Sequence, residues 1–265
     1  MKTDSIIHEP ASEYHARGRS GEFMTSHLLA DFRESPVLYY KEINGEIEQT
    51  ESTAFLIGRA AHSLILEGRE GFDRDFIVSD GPINPKTGEL FGRFTKAYGE
   101  WRGRLDRDVI SGKDYGLISR LHMSVLSHPI AGELLLDGVA EGVIRAEYCG
   151  VPCQIRMDWF SPKRGLVDLK TCEALKWFEM GRYGYIYQMA FYRGVIREVT
   201  GVTVPVHIIA VEKNEPFSTG VWKLTEEVLD RAEAINREAL ARYRQCRQSG
   251  SWPTGYEELR IINDL

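Results

Sequence analysis

Long apolar runs are missing from this sequence: stretches such as Ile208-Ile209-Ala210-Val211 fall far short of the roughly 20 residues that a membrane-spanning helix needs. No membrane span is expected. The opening residues Met1-Lys2-Thr3-Asp4 run into polar and charged positions without an apolar leader core, so the cytoplasm is the expected compartment. CxxC pairs are missing too. Cys149, Cys153, Cys172 and Cys246 are scattered, two of them inside apparent strands, and a cytoplasmic chain of this size needs no covalent staples. They read as small core residues. The lack of a GxxxxGK[ST] loop argues against a nucleotide-driven motor. Positive charge is also short, with a formal net charge of −6. That excludes a surface basic everywhere, as a purely electrostatic nucleic-acid binder would carry. A local basic channel is still allowed: cations recur at Arg93, Lys96, Arg102, Arg104 and Arg107, and again at Arg156, Lys163, Arg164, Lys170, Lys176 and Arg182.

What is present suffices for a full core, since 43% of the 265 residues are hydrophobic and 11% aromatic. Residues 1–24 are polar, glycine-dotted and aperiodic, which predicts a mobile arm. Leu28, Leu29 and Phe32 are spaced for a short helix capped at Thr25 or Ser26 and stopped at Ser35-Pro36. Thr53 can cap a second helix, whose stripe Phe55, Ile57, Gly58, Ala61, Leu64 and Ile65 runs to about Glu67 before Gly68. Residues 79–92 have loop chemistry, and residues 94–105 and 115–126 look helical. From Glu141 the period changes to two. Strands are predicted over 141–150, 151–160 and 166–172, then a helix over 183–199, a strand over 204–211, an edge strand over 218–224 and a long charged helix over 226–248. Helices before and after a sheet imply a single α/β layered domain over 25–265, with the N-terminal helices added to one side.

The hairpin around Ser161-Pro162-Lys163-Arg164-Gly165 carries the chemistry. Alternation puts Val151, Cys153, Ile155, Met157 and Trp159 on one face and Gln154, Arg156 and Asp158 on the other, while Asp168 and Lys170 share a face opposite Val167 and Leu169. A symmetric turn sets Phe160 opposite Leu166, Asp158 opposite Asp168 and Arg156 opposite Lys170. Facing like charges destabilise a sheet, so a cation is expected between the two carboxylates. A hard divalent ion such as Mg²⁺ suits one or two carboxylates with water. Lys170 beside it can orient or deprotonate a water and stabilise developing phosphorane charge, which is the chemistry of phosphodiester hydrolysis.

These residues resemble a known pattern. An Asp on one strand followed by Gly165-Leu166-Val167-Asp168-Leu169-Lys170-Thr171 resembles the signature of the PD-(D/E)xK nuclease superfamily. Gly58-Arg59-Ala60-Ala61-His62 and Tyr187-Gln188-Met189-Ala190-Phe191-Tyr192 are similar to the G-x-x-x-H and Q-x-x-x-Y helices of its RecB-like and RecE-like members. Residues 29–39 and Asn84-Pro85-Lys86-Thr87-Gly88 look like the RecE (exodeoxyribonuclease VIII) branch. The resemblance implies a restriction-endonuclease-like core, with a central mixed β-sheet flanked by helices. It implies an Mg²⁺- or Mn²⁺-dependent exonuclease acting on duplex DNA with a free end, often prophage-encoded for recombination beside a single-strand annealing protein, and often a homo-oligomer. By it, His62, Asp158, Asp168 and the Leu169 carbonyl would bind metal, Lys170 would be the catalytic lysine, and Arg156, Gln188 and Tyr192 would hold phosphates.

The sequence also departs from the pattern. Met157, rather than Pro, precedes Asp158. Glu147 matches an upstream acidic position, but the hairpin register sets it opposite Pro152, roughly 20 Å along the strand from Asp158, so it is not counted as a ligand. Only Cys246 lies beyond the Q-x-x-x-Y segment, which argues against an iron–sulfur cluster.

Overall fold

The computed structural model describes residues 6–47, 53–178, 184–259 and 261. Its centre is a five-stranded sheet in the order β3-β4-β5-β6-β7: β3 (Val139–Tyr148), β4 (Val151–Ser161), β5 (Gly165–Cys172), β6 (Val206–Glu212) and β7 (Thr219–Leu224). Only the β5–β6 pair is parallel, joined through α9 (Tyr185–Thr200); the other neighbours are antiparallel. The sheet is therefore mixed and the fold α/β, as expected.

Two apolar layers enclose it. On one face Ile144, Ile155, Met157, Phe160, Leu166 and Ile208 pack with residues of α2 (Ser26–Glu34), α3 (Pro36–Ile43), α9 and α10 (Glu226–Ser249). On the other, Val167, Leu169, Ile209 and Val211 meet α4 (Thr53–His62), α7 (Gly112–Ser127) and α8 (Pro129–Leu134). Val167 and Leu169 thus oppose Leu166 along β5, as period two requires. The α2 cap is as expected, with Thr25 Oγ1 accepting from the Leu28 N–H at 3.2 Å. The helix expected from Thr53 begins there, whereas the expected start of α9 at Tyr183 lies outside the described residues, as does Arg182.

Several elements escaped the sequence. Of the expected mobile arm, the described residues 6–24 are packed: residues 11–19 form α1, Tyr14 and Ile6 are buried, and the backbones of Ile7 and Val143 exchange hydrogen bonds at 2.8 and 2.9 Å. The Gln154 amide donates to the Tyr14 carbonyl at 2.8 Å, so α1 covers a β4 face that would otherwise bury an amide unpaired. A two-stranded parallel pair, β1 (Phe76–Val78) and β2 (Asp108–Ile110), and α5 (Gly68–Asp75) were likewise unforeseen. Such short elements have too few residues to show a period. Gly165 is obligatory where β5 leaves the turn: its φ is +91°, and a Cβ there would stand 2.1 Å from the Pro205 carbonyl oxygen.

Candidate active site

The strand ladder fails at one place, and the acidic residues collect there. Between β3 and β4, Ala140 pairs with Trp159 and Gly142 with Met157, so Glu141 and Asp158 stand opposite each other but unpaired. Glu141 has φ +54°, a conformation costly for a non-glycine residue and concentrated at functional sites. Face alternation also breaks here. Met157 and Phe160 both enter the α9 layer while Trp159 packs in the α4 layer, correcting the expectation that Trp159 shares the face of Met157.

On its other side β4 pairs with β5 only at Trp159↔Val167, Phe160↔Leu166 and Ser161↔Gly165. The register is the expected one, yet the ladder stops one pair before Asp158 and Asp168. Asp158 Oδ2 instead accepts the Leu169 N–H at 2.8 Å. The strands part beyond that point, and groups from both faces reach the opening.

From the α4 side comes His62, its Nδ1 3.6 Å from Asp158 Oδ2 and its ring hydrogen-bonded to the backbone of Leu169. Burial holds this imidazole below its usual pKa, which keeps it neutral and able to act as a ligand. The helix changes character at this residue, continuing as a π-helix over Ser63–Glu67, a distortion frequent at functional sites. His62, Glu141 and Asp158 each offer a ligand atom within 4.8 Å of the others. Burial, then the Asp158 charge, push the Glu141 carboxyl up to about 8. Two carboxylates and an imidazole converging in a half-buried gap make a donor set suited to Mn²⁺ or Mg²⁺, and a cation there would offset the repulsion.

Asp168 and Lys170 project on the α9 side. Lys170 Nζ lies 2.6 Å from Asp168 Oδ2 and 5.0 Å from the Tyr185 ring centre. Burial raises the Asp168 carboxyl to about 6 despite this partner. Burial works against the Lys170 charge, but the carboxylates of Asp168 and Asp158 outweigh it and push its pKa up. Paired with a buried carboxylate, the Lys170 ammonium places a positive charge beside the acids. Asp168 does not join the three-residue cluster; it holds Lys170.

On α9, Gln188 Nε2 donates to the Tyr192 hydroxyl at 3.4 Å. Burial, and then the charges of Asp158 and Asp168, raise the pKa of Tyr192. Arg156 is not opposite Lys170. It pairs with Glu141 on β3, Nε to Oε2 at 3.1 Å, because β4 has already left β5 at that level.

Glu141 is the residue that sequence reasoning missed. The register that sets Glu147 opposite Pro152 also sets Glu141 opposite Asp158, and counting along it would have found the third acid. His27, on the first turn of α2, also escaped notice. It lies near enough to Lys170 and Asp158 to feel both charges, while burial lowers its pKa.

The PDDEXK-like domain of unknown function DUF3799 matches residues 25–264. The chain belongs to that family. That PDDEXK-like family supports a nuclease. Among solved structures, a candidate exonuclease from Eubacterium rectale superposes with a TM-score of 0.67 at 18% identity, over 98% of this chain and 96% of that one. At that identity the likeness speaks for the fold. The structure of SSO0001 covers 85% of this chain and 93% of its own at 12% identity, but its TM-score of 0.28 carries no argument. No curated protein matches by sequence. No helix among the described residues is long and apolar enough to cross a membrane.

Proposed function

We propose that this DUF3799 member is a divalent-metal-dependent deoxyribonuclease that hydrolyses linear duplex DNA from a free end. The observation that carries it is the convergence of His62, Glu141 and Asp158 within 4.8 Å at the ladder gap, with the Lys170–Asp168 pair alongside. His62, Glu141 and Asp158 would hold the ion, and a bound Mg²⁺ or Mn²⁺ supplies Lewis-acid polarisation of a phosphoryl oxygen and a more acidic water. The chain's own groups do the rest. Lys170 sets a positive charge beside the scissile phosphate, where the transition state gains negative charge, and Asp168 and Tyr185 fix its position. Gln188 and Tyr192 orient a phosphate or the strand bearing it. Arg156 steadies Glu141. Action from an end, and a place in recombination, are supported by the RecE-like segments of the sequence and by the exonuclease description of the Eubacterium rectale structure.

Digestion of end-labelled linear DNA and of the same DNA as a closed circle, each with Mg²⁺, Mn²⁺, Ca²⁺ or chelator, tests this. Loss of label from linear DNA alone, with Mg²⁺ or Mn²⁺ only, is expected. Cutting of the circle would make the enzyme an endonuclease, and binding without cutting under every metal would make it a DNA-binding protein on a nuclease fold.

A further inference from the structure

We propose that the segment linking β1 to β2 is a platform for an unpaired nucleic-acid base, with Phe94 as the stacking ring; the proposal rests on the nuclease reading and names how it grips its substrate. Phe94 is 105% exposed, an extreme for a large apolar side chain and one that sequence logic explains. Phe94 immediately precedes Thr95, the N-cap of α6 (Lys96–Arg102), whose hydroxyl accepts from the Tyr98 N–H at 3.3 Å. A hydrophobic residue just before an N-cap ordinarily packs on the fourth residue of the helix. Here that residue is Gly99, which offers no side chain, so the ring has no resting place on its own helix.

The backbone that carries the ring is nonetheless fixed. Thr95 N and Oγ1 both donate to the Gly92 carbonyl, at 2.9 and 2.8 Å, closing the turn that carries Phe94. Along α6, Tyr98 and Trp101 pack at 5.3 Å between ring centres. The platform is also anchored to the candidate active site. Asp108 accepts from Arg102 at 2.9 Å and from Arg59 at 2.6 Å, and Arg59 stands three residues before His62 on α4.

Charge identifies the occupant. Between Asn84 and Arg104 the chain carries five cations against two acids, although it is net negative overall. Arg93, Lys86 and Arg104 are exposed, and no carboxylate pairs with them among the described residues. Cations around a bare aromatic ring are the recurrent design of single-strand binding surfaces, where each base offers a π-face and the backbone follows positive charge. A base inside a duplex is already stacked, so the occupant is a strand freed at an end.

The test measures binding by anisotropy in chelator, where no cleavage enters, using a labelled oligothymidylate and a blunt duplex of the same length, each with the intact chain. Phe94→Ala is expected to weaken single-strand binding about fivefold or more, and Phe94→Leu similarly, whereas Phe94→Trp retains affinity and duplex binding changes less than twofold. A 2-aminopurine base in the strand should lose its binding-induced quenching in Phe94→Ala. Equal single-strand affinity of Phe94→Ala and the parent chain overturns the platform. So does failure of the parent to bind the strand, or a Phe94→Ala effect confined to self-association in sedimentation. Hydrolysis of linear duplex by the same preparations decides the nuclease reading independently.

Discussion

The carboxylate of Asp158 holds the backbone N–H of Leu169 at 2.8 Å, standing in for a strand partner where β4 and β5 separate. One side chain thus braces the sheet and faces the metal-ligand cluster. Asp158→Asn keeps an acceptor for that N–H, whereas Asp158→Ala leaves it unpaired at a cost of about 1–3 kcal/mol. Both should lose cleavage and Mn²⁺ binding, but only the alanine variant should melt distinctly lower. Calorimetric titration with Mn²⁺ and thermal melts separate the two roles. Equal melting temperatures would remove the bracing role.

Glu141→Gln should raise the Mn²⁺ concentration needed for half-maximal cleavage at least tenfold while leaving the fold intact, because the amide keeps the size of the side chain but supplies a weaker ligand to a hard ion. Metal dependence unchanged from the parent would take Glu141 out of the ligand set.

Lys170→Ala removes one partner of a buried ion pair. With Lys170 in place the Asp168 carboxyl already sits at about 6, above the usual carboxylate value near 3.9, so its contribution to stability is full at low pH and is lost as pH rises through about 6. Without the ammonium the folded value rises further. Cleavage should fall by a factor on the order of 10³ through loss of transition-state charge stabilisation, and the melting temperature relative to the parent should drop more at pH 8 than at pH 5. A pH-independent difference would show that Asp168 does not depend on Lys170.

Away from the site, burial and the neighbouring Glu42 carboxylate hold Asp31 up at about 7. Below about pH 4 both folded and unfolded chains carry this proton; between about 4 and 7 only the folded chain keeps it, so stability declines as pH rises across that window. Asp31→Asn removes the titration. It should flatten the decline and melt higher than the parent at pH 8. Parallel melting curves for the two proteins would rule this out.

Deleting residues 1–24 should lower the melting temperature by about 10 °C or more, given that roughly 3 kcal/mol corresponds to such a shift in a chain of this size. The deletion strips the Ile7–Val143 hydrogen bonds and uncovers the Gln154 amide. An unchanged melt would restore the mobile arm expected from composition.

Where the sequence had a long period or a stereochemically forced turn, the fold could be read directly. The turn at 161–165, the split of Leu166 from Val167 and the shared face of Asp168 and Lys170 all followed from alternation and from the glycine at 165. The rest depended on departures from regularity. Nothing local announces that Glu141 takes a positive φ, that β4 changes face after Met157, or that Asp158 turns sideways to a backbone amide. These follow from how three consecutive strands share one amide and one gap. α1 was missed because its stability lies in covering β4, with a buried tyrosine and a single amide contact, rather than in an apolar stripe of its own.

The connection between β4 and β5 has a consequence for how this protein can change. Each residue of β5 is committed by parity to one layer, so adding or removing one residue within 161–165 would exchange the contents of the two layers. Lysine and aspartate would be driven into aliphatic packing under α4, and Val167 and Leu169 would be left in the cleft. Length at this hairpin is therefore a chemical variable.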